Sequence, residues 1–172
     1  MNEWGVPGIE LHSLLREYCE RLARNGEYVP PIALAGGFTF EDQIFKGFAL
    51  AAPYVKMIAW ARSPLAAAMV AKTIGKSIED RDLPIYIQRF GLSVDEIFVT
   101  APELRQRFGD RFSKLPVGAI GIYTYYQRVA QGLRQLMAGA RKFALQYITR
   151  DDIAALTPEA SRISGIPLVT HV

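Results

Sequence analysis

Between Pro31 and Pro64 the chain reads PIALAGGFTFEDQIFKGFALAAPYVKMIAWARSP, and no other run constrains the fold as tightly. Ile32-Ala33-Leu34-Ala35 is short, apolar and continuous, the pattern of a strand buried on both faces of a parallel sheet. Gly36-Gly37 ends it. Paired glycines permit positive φ and let bare backbone N–H groups approach a ligand. Thr39 and Asp42 have the spacing of a capping box for the next helix. Ile44, Phe45, Phe48 and Ala49 give that helix an apolar face. A second strand, Val55 to Trp60, ends in Ala61-Arg62-Ser63-Pro64. Alternation puts Tyr54, Lys56, Ile58 and Trp60 on one face and Val55, Met57 and Ala59 on the other.

A βαβ unit of this kind suits a phosphate. Backbone N–H groups after each of two parallel strands can converge on one dianion, and a helix N-terminus adds partial positive charge. Arg62 offers a bidentate, charge-assisted pair. In (β/α)8 barrels such a site lies in the loops after strands 7 and 8. Alone, Gly36-Gly37 reads more simply as a tight turn. With Ala-Arg-x-Pro closing the second strand, phosphate binding is the better reading.

The segment resembles the seventh and eighth βα units of FMN-dependent (β/α)8 oxidoreductases. More narrowly, AGGFTFEDQIFKGFALAAPYVK, ARSPLAAAMVAKTIGK and LPVGAIGIYTYYQRVAQGLRQLMAGARKFAL resemble the FMN-binding glutamate synthase family over nearly the whole chain. Ala51 and Ala61 depart from it, each standing where glycine is usual. The resemblance implies an α/β fold, the C-terminal portion of a TIM (β/α)8 barrel with added helices. A complete barrel takes about 250 residues, so the 172 residues here would start in the loop after the sixth strand. Residues 1–75 would hold the βα units and the phosphate site. Residues 76–116 would be an insertion-like helical region, and 117–172 the C-terminal helices.

The resemblance further implies FMN as cofactor, held at its phosphate by Gly36, Gly37, Ala61 and Arg62, with Trp60 at the rim of the flavin pocket. Core packing competes equally for Trp60. The implied activity is formation of L-glutamate from 2-oxoglutarate and ammonia or glutamine nitrogen through reduced flavin. No catalytic acid, base or nucleophile can be assigned. The cysteine cluster that holds an iron–sulfur centre in many glutamate synthases needs several thiolates, and Cys19 is the single cysteine. The alternative is a non-catalytic partial barrel that binds phosphate, flavin or a partner chain. Unpaired strand edges favour self-association or a complementary barrel chain.

Composition bounds the remaining classes. Half the residues are apolar and 22% charged, which places the chain among globular proteins rather than disordered ones. A net charge of +3 with scattered Lys and Arg does not indicate nucleic acid. One cysteine fits a reducing compartment, and no secretory signal or membrane span is readable, so a cytoplasmic location is expected.

Elsewhere the pattern is mostly helical. Trp4 falls in an N-terminal loop, as a packing anchor or a pocket residue. Apolar spacing predicts a helix from Glu10 to Arg24, ended by Asn25-Gly26. On it, Cys19 is expected to be buried and inert, and His12 to be a surface or capping residue. Lys56 lies early in its strand, favouring a structural role. Leu65 to Ile74 should be a well-buried helix stopped at Gly75. Leu83 to Ile87 reads as extended. Ser93 with Glu96 is a capping box, and Thr100-Ala-Pro-Glu opens a short helix ending at Gly109. Arg105 and Arg107 fit a solvated face.

Gly118 to Tyr147 reads as one long helix. Its stripe is Ile122, Tyr126, Val129, Leu133, Leu136, Met137, Ala140 and Leu145, and its glycines are explicable where another element approaches closely. Tyr123, Tyr125 and Tyr126 with Arg128 and Arg134 read as packing residues rather than a base-stacking face. Thr149 with Asp152, and Thr157-Pro-Glu, cap two short helices. From Ser164 onward the chain reads as a tail.

Overall fold

The computed structural model describes residues 5–171, so Trp4 lies outside the described residues. The fold is mixed α/β and mostly helical, with a two-stranded parallel sheet. Two compact units divide the chain. One comprises the residues up to Trp60 together with those from Gly132 onward; the other is Ala61–Gln131.

The first unit opens with helix α1, Gly8–Arg24. Asn25-Gly26 ends it as expected: Gly26 adopts φ +73°, and the Gly26 and Glu27 N–H groups return to the carbonyls of Ala23 and Leu22. Cys19 is buried on its inner face. Strands β1, Ile32–Ala35, and β2, Val55–Ala59, then pair in parallel around helix α2, Glu41–Leu50. Ile44, Phe45, Phe48 and Ala49 are all buried, as their spacing predicts. Burying four such side chains supplies most of the local driving force, at roughly 1.5–3 kcal/mol for each large one. Gly47 is required by close approach, because a Cβ there would meet the Phe38 ring at 2.7 Å.

Three local expectations fail here. The α2 cap sits one residue later than Thr39. Gln43 Oε1 accepts the N–H groups of Thr39 and Phe40, while Asp42 pairs with Lys46 at 2.7 Å. The sheet is also not buried on both faces. In β1 only Leu34 is buried, and Ala33 and Ala35 are exposed. In β2 the register slips: Ile32 pairs Val55, but Ala33 pairs Met57. The extra residue, Lys56, breaks strict alternation, so Val55 and Ile58 both point inward and Met57 is exposed.

The chain after residue 132 completes this unit. Helix α8, Pro158–Ser164, starts under the Thr157 cap and ends at Gly165 in the left-handed conformation. Thr149 and Asp152 cap a short turn of 3-10 helix. The stretch from Ser164 onward is docked rather than a free tail. Ile166 packs with Leu50 and Ala155, and backbone bonds join Ala155 N–H to Pro167 O and Val169 N–H to Ala155 O, both at 2.9 Å. An apolar residue two positions past the helix stop anchors it.

The second unit is helical: α3 (Arg62–Glu79), α4 (Ile85–Gln88), α5 (Val94–Ile97), α6 (Ala101–Phe108) and the start of α7 (Val117–Gly139). Its core gathers Ala71, Phe98, Ala101, Leu104, Phe112 and Ile120. The Ser93–Glu96 capping box and the α6 stop at Gly109 form as predicted. Arg105 pairs with Asp95 and lies over the Phe112 ring.

Helix α3 differs from expectation. It runs through Gly75, and its large residues Leu65, Met69 and Val70 are exposed while Ala71 and Gly75 are buried. The reason is packing of small residues against α7. A Cβ on Gly75 would meet Val117 at 2.8 Å, and one on Gly121 would meet Ala71 Cβ at 2.2 Å. Gly118 and Gly121 thus mark close approach, as expected, while Gly139 meets nothing within 4 Å; the buried line of α7 runs through Ile120, Gly121 and Val129. Tyr126 and Leu136 of the expected stripe are exposed.

Residues 83–87 are not extended. The Pro84 carbonyl accepts the N–H groups of Ile87 and Gln88, closing one helical turn. Helix α7 stops at Gly139, well before Tyr147. Arg141 takes φ +54°, and Lys142 N–H returns to Met137 O at 2.8 Å, a reversal that cannot propagate a helix.

Candidate functional site

Parallel pairing puts Ala35 opposite Ala59, so β1 and β2 end at the same edge of the sheet. Gly36 and Gly37 leave that edge with φ +94° and +79°, and nothing lies within 4 Å of the position a Cβ would take on either. These are conformations that L side chains rarely adopt, and they leave the backbone open to approach. Both glycines line a cleft of about 960 Å3 contained within the first unit. That volume lies in the range of small-molecule pockets.

Helix α1 contributes Ile9 and His12 to the cleft, α2 contributes Phe45 and Lys46, and the C-terminal segment contributes residues such as Ile153 and Ile166. His12 is half-buried rather than a surface or capping residue. Its ring stacks on Phe38 with centroids 6.1 Å apart and planes within 4°. Burial pushes its pKa below the usual histidine value, so the ring is neutral at pH 7. The hydrogen bond and charge of Lys46 hold the Asp42 carboxyl below the ordinary carboxylate range.

Of the residues assigned to phosphate from the sequence, Gly36 and Gly37 stand together in this cleft. Trp60, half-buried just past β2, does not line it. Ala61 and Arg62 are exposed and open the second unit, Ala61 as the residue before α3 and Arg62 as its first. The two helices that follow the strands differ in their first turns. Glu41 and Asp42 stand in the first turn of α2 and already answer its dipole, whereas α3 begins without an acidic residue. Glu41 and Asp42 thus offset the partial positive charge at the start of α2, and the first turn of α3 holds no such offset.

Sequence reasoning missed the contribution of residues 152–166 and of His12. The available signal was the apolar run Ile153-Ala154-Ala155-Leu156 ahead of the Thr157 cap, together with Ile166 in the stretch read as a tail. Among the described residues, no group of three or more His, Cys, Asp and Glu is placed to hold a metal ion, and no helix is long and apolar enough to cross a membrane. A scan against protein-family models and searches of curated proteins and of solved structures return no match.

Proposed function

We propose that this chain is the FMN-binding, C-terminal portion of a (β/α)8 barrel in a glutamate synthase-like oxidoreductase. The observation that supports it is the parallel βαβ unit whose two strands end at one edge, where two positive-φ glycines leave open backbone beside a cleft. The exposed face of the sheet, at Ala33, Ala35 and Met57, is what an incomplete barrel would present. The fit to FMN is to its phosphate end. Backbone N–H groups of Gly36 and Gly37 would receive phosphate oxygens, and Ala61 and Arg62 are assigned to the same phosphate from the sequence. Bound FMN would supply the redox chemistry that reduces 2-iminoglutarate, formed from 2-oxoglutarate and ammonia, to L-glutamate. The residues of this chain bind and orient; the reading gives them no proton to move.

A second reading is a non-catalytic partial barrel that acts only with a partner. The two-stranded sheet favours it, because each strand has an outer edge without a neighbouring strand among the described residues. Titration of the purified chain with FMN, read by flavin fluorescence, separates the two. Saturable binding that is weakened in Arg62→Ala supports the flavin reading. Binding unchanged by that substitution removes Arg62 from the site. Absence of binding, with a dimer or larger assembly by sedimentation, favours the partial-barrel reading.

A further inference from the structure

The polar side chains on the cleft wall of the first unit already have partners within the chain, although Asp42, Lys46 and Thr157 are exposed. Asp42 and Lys46 hold each other at 2.7 Å. Gln43 Oε1 accepts two backbone N–H groups, and Thr157 Oγ1 accepts the N–H of Ala160 at 3.1 Å. Ser164 Oγ donates to Ala160 O at 2.6 Å. Asp152 accepts the N–H of Thr149 at 2.7 Å and faces Lys142 at 3.5 Å. His12 is neutral by burial and flat against Phe38.

What the wall still presents to a ligand is apolar: Ile9, Phe38, Phe45, Leu136, Ile153 and Leu156 among others. An ion entering such a space loses part of its hydration and meets no uncompensated opposite charge among these side chains. A neutral apolar molecule loses nothing comparable and gains from the apolar area it removes from water. We propose that this cleft is a binding site for a neutral, predominantly apolar small molecule. Its recognition is by shape and burial, with backbone at Gly36-Gly37 available for a single polar end. The site stands on the cleft alone and is an alternative to a flavin phosphate at Gly36-Gly37, since both would use that backbone.

The test uses Nile red, a neutral apolar dye, with the 172-residue chain. Ala154 lines the cleft and is exposed, so Ala154→Trp fills space without displacing core atoms. Ala138 is exposed on α7 and does not line the cleft, so Ala138→Trp adds the same ring elsewhere. The expected result is saturable single-site binding, weakened at least about tenfold in Ala154→Trp and unchanged in Ala138→Trp. Decanol should displace the dye at lower concentration than decanoate does at pH 8. Equal loss in both variants, no saturable binding, or preferential displacement by decanoate overturns the proposal. Since no flavin is present, its failure and failure of the FMN titration are separate results.

Discussion

Arg150 reaches back across the chain to Leu50: its Nη1 donates to the Leu50 carbonyl at 2.7 Å. The other terminal nitrogen, Nη2, donates to Ser164 O at 2.6 Å. One planar guanidinium thus ties the end of α2 to the end of α8, satisfying carbonyls at two helix termini that lack intrahelical partners.

Replacing Arg150 by methionine keeps the apolar stem and removes both donors. Each charge-assisted bond is worth about 1.5–3 kcal/mol, and the two share a donor group, so their losses do not simply add. We expect Arg150→Met to destabilise the chain by about 2–4 kcal/mol, and Arg150→Lys to recover less than half, because an ammonium cannot span both acceptors in one plane. Urea unfolding followed by circular dichroism measures it. A loss below about 1 kcal/mol would show that water replaces the guanidinium at both carbonyls.

The β1–α2–β2 unit was readable because each of its parts follows from local chemistry. Glycines punctuate it, apolar residues recur at helical spacing, and short apolar runs form the strands. The caps at Ser93, Thr149 and Thr157 were readable for the same reason. Features set by packing between distant segments were not. The β2 register slip at Lys56 depends on how two strands meet. The inside of α3 is its alanine and glycine side only because α7 presents matching glycines. In the cleft, Gly36-Gly37 was visible in the sequence, while the opposite wall comes from residues more than a hundred positions away. Such a wall carries no periodic signature of its own.

The α3–α7 contact makes a sharp prediction from one helix. Gly121 lies inside α7 and Gly139 is its last residue, so replacement by alanine brings an intrinsic gain of up to about 1 kcal/mol at Gly121 and less at Gly139. Their surroundings differ. A Cβ on Gly121 would sit 2.2 Å from Ala71 Cβ and 3.0 Å from Ala67 O, whereas nothing lies within 4 Å at Gly139. Backbone and Cβ atoms cannot swing aside as a long side chain can. Gly121→Ala should therefore destabilise by about 1–3 kcal/mol, while Gly139→Ala should be neutral or slightly stabilising. Thermal unfolding of the two variants in parallel checks the pair, and a stable Gly121→Ala would mean that α3 and α7 separate at little cost.

Cys19 should behave as an inert thiol. It is 1% exposed, and burial raises its pKa, so thiolate is scarce and shielded. Ellman's reagent should react with native protein far more slowly than with protein in denaturant. Prompt native reaction would indicate that α1 opens readily from the first unit.

His12 gives the pH dependence of the first unit a definite sign. Burial lowers its folded-state pKa below the ordinary 6.5. In the unfolded chain the ring takes up a proton as pH falls through about 6.5, while in the folded chain it remains neutral until lower pH. Over that window the unfolded state binds more protons, so stability falls as pH falls and is fully present above the unfolded pKa. Below the folded pKa both states are protonated and this contribution no longer changes. His12→Phe retains a ring to stack on Phe38 and removes the titration. The wild-type melting temperature should therefore drop relative to His12→Phe between about pH 7 and pH 5. Parallel curves for the two proteins would show that the ring titrates alike in both states, and a gap that closes with acid would reverse the assigned sign.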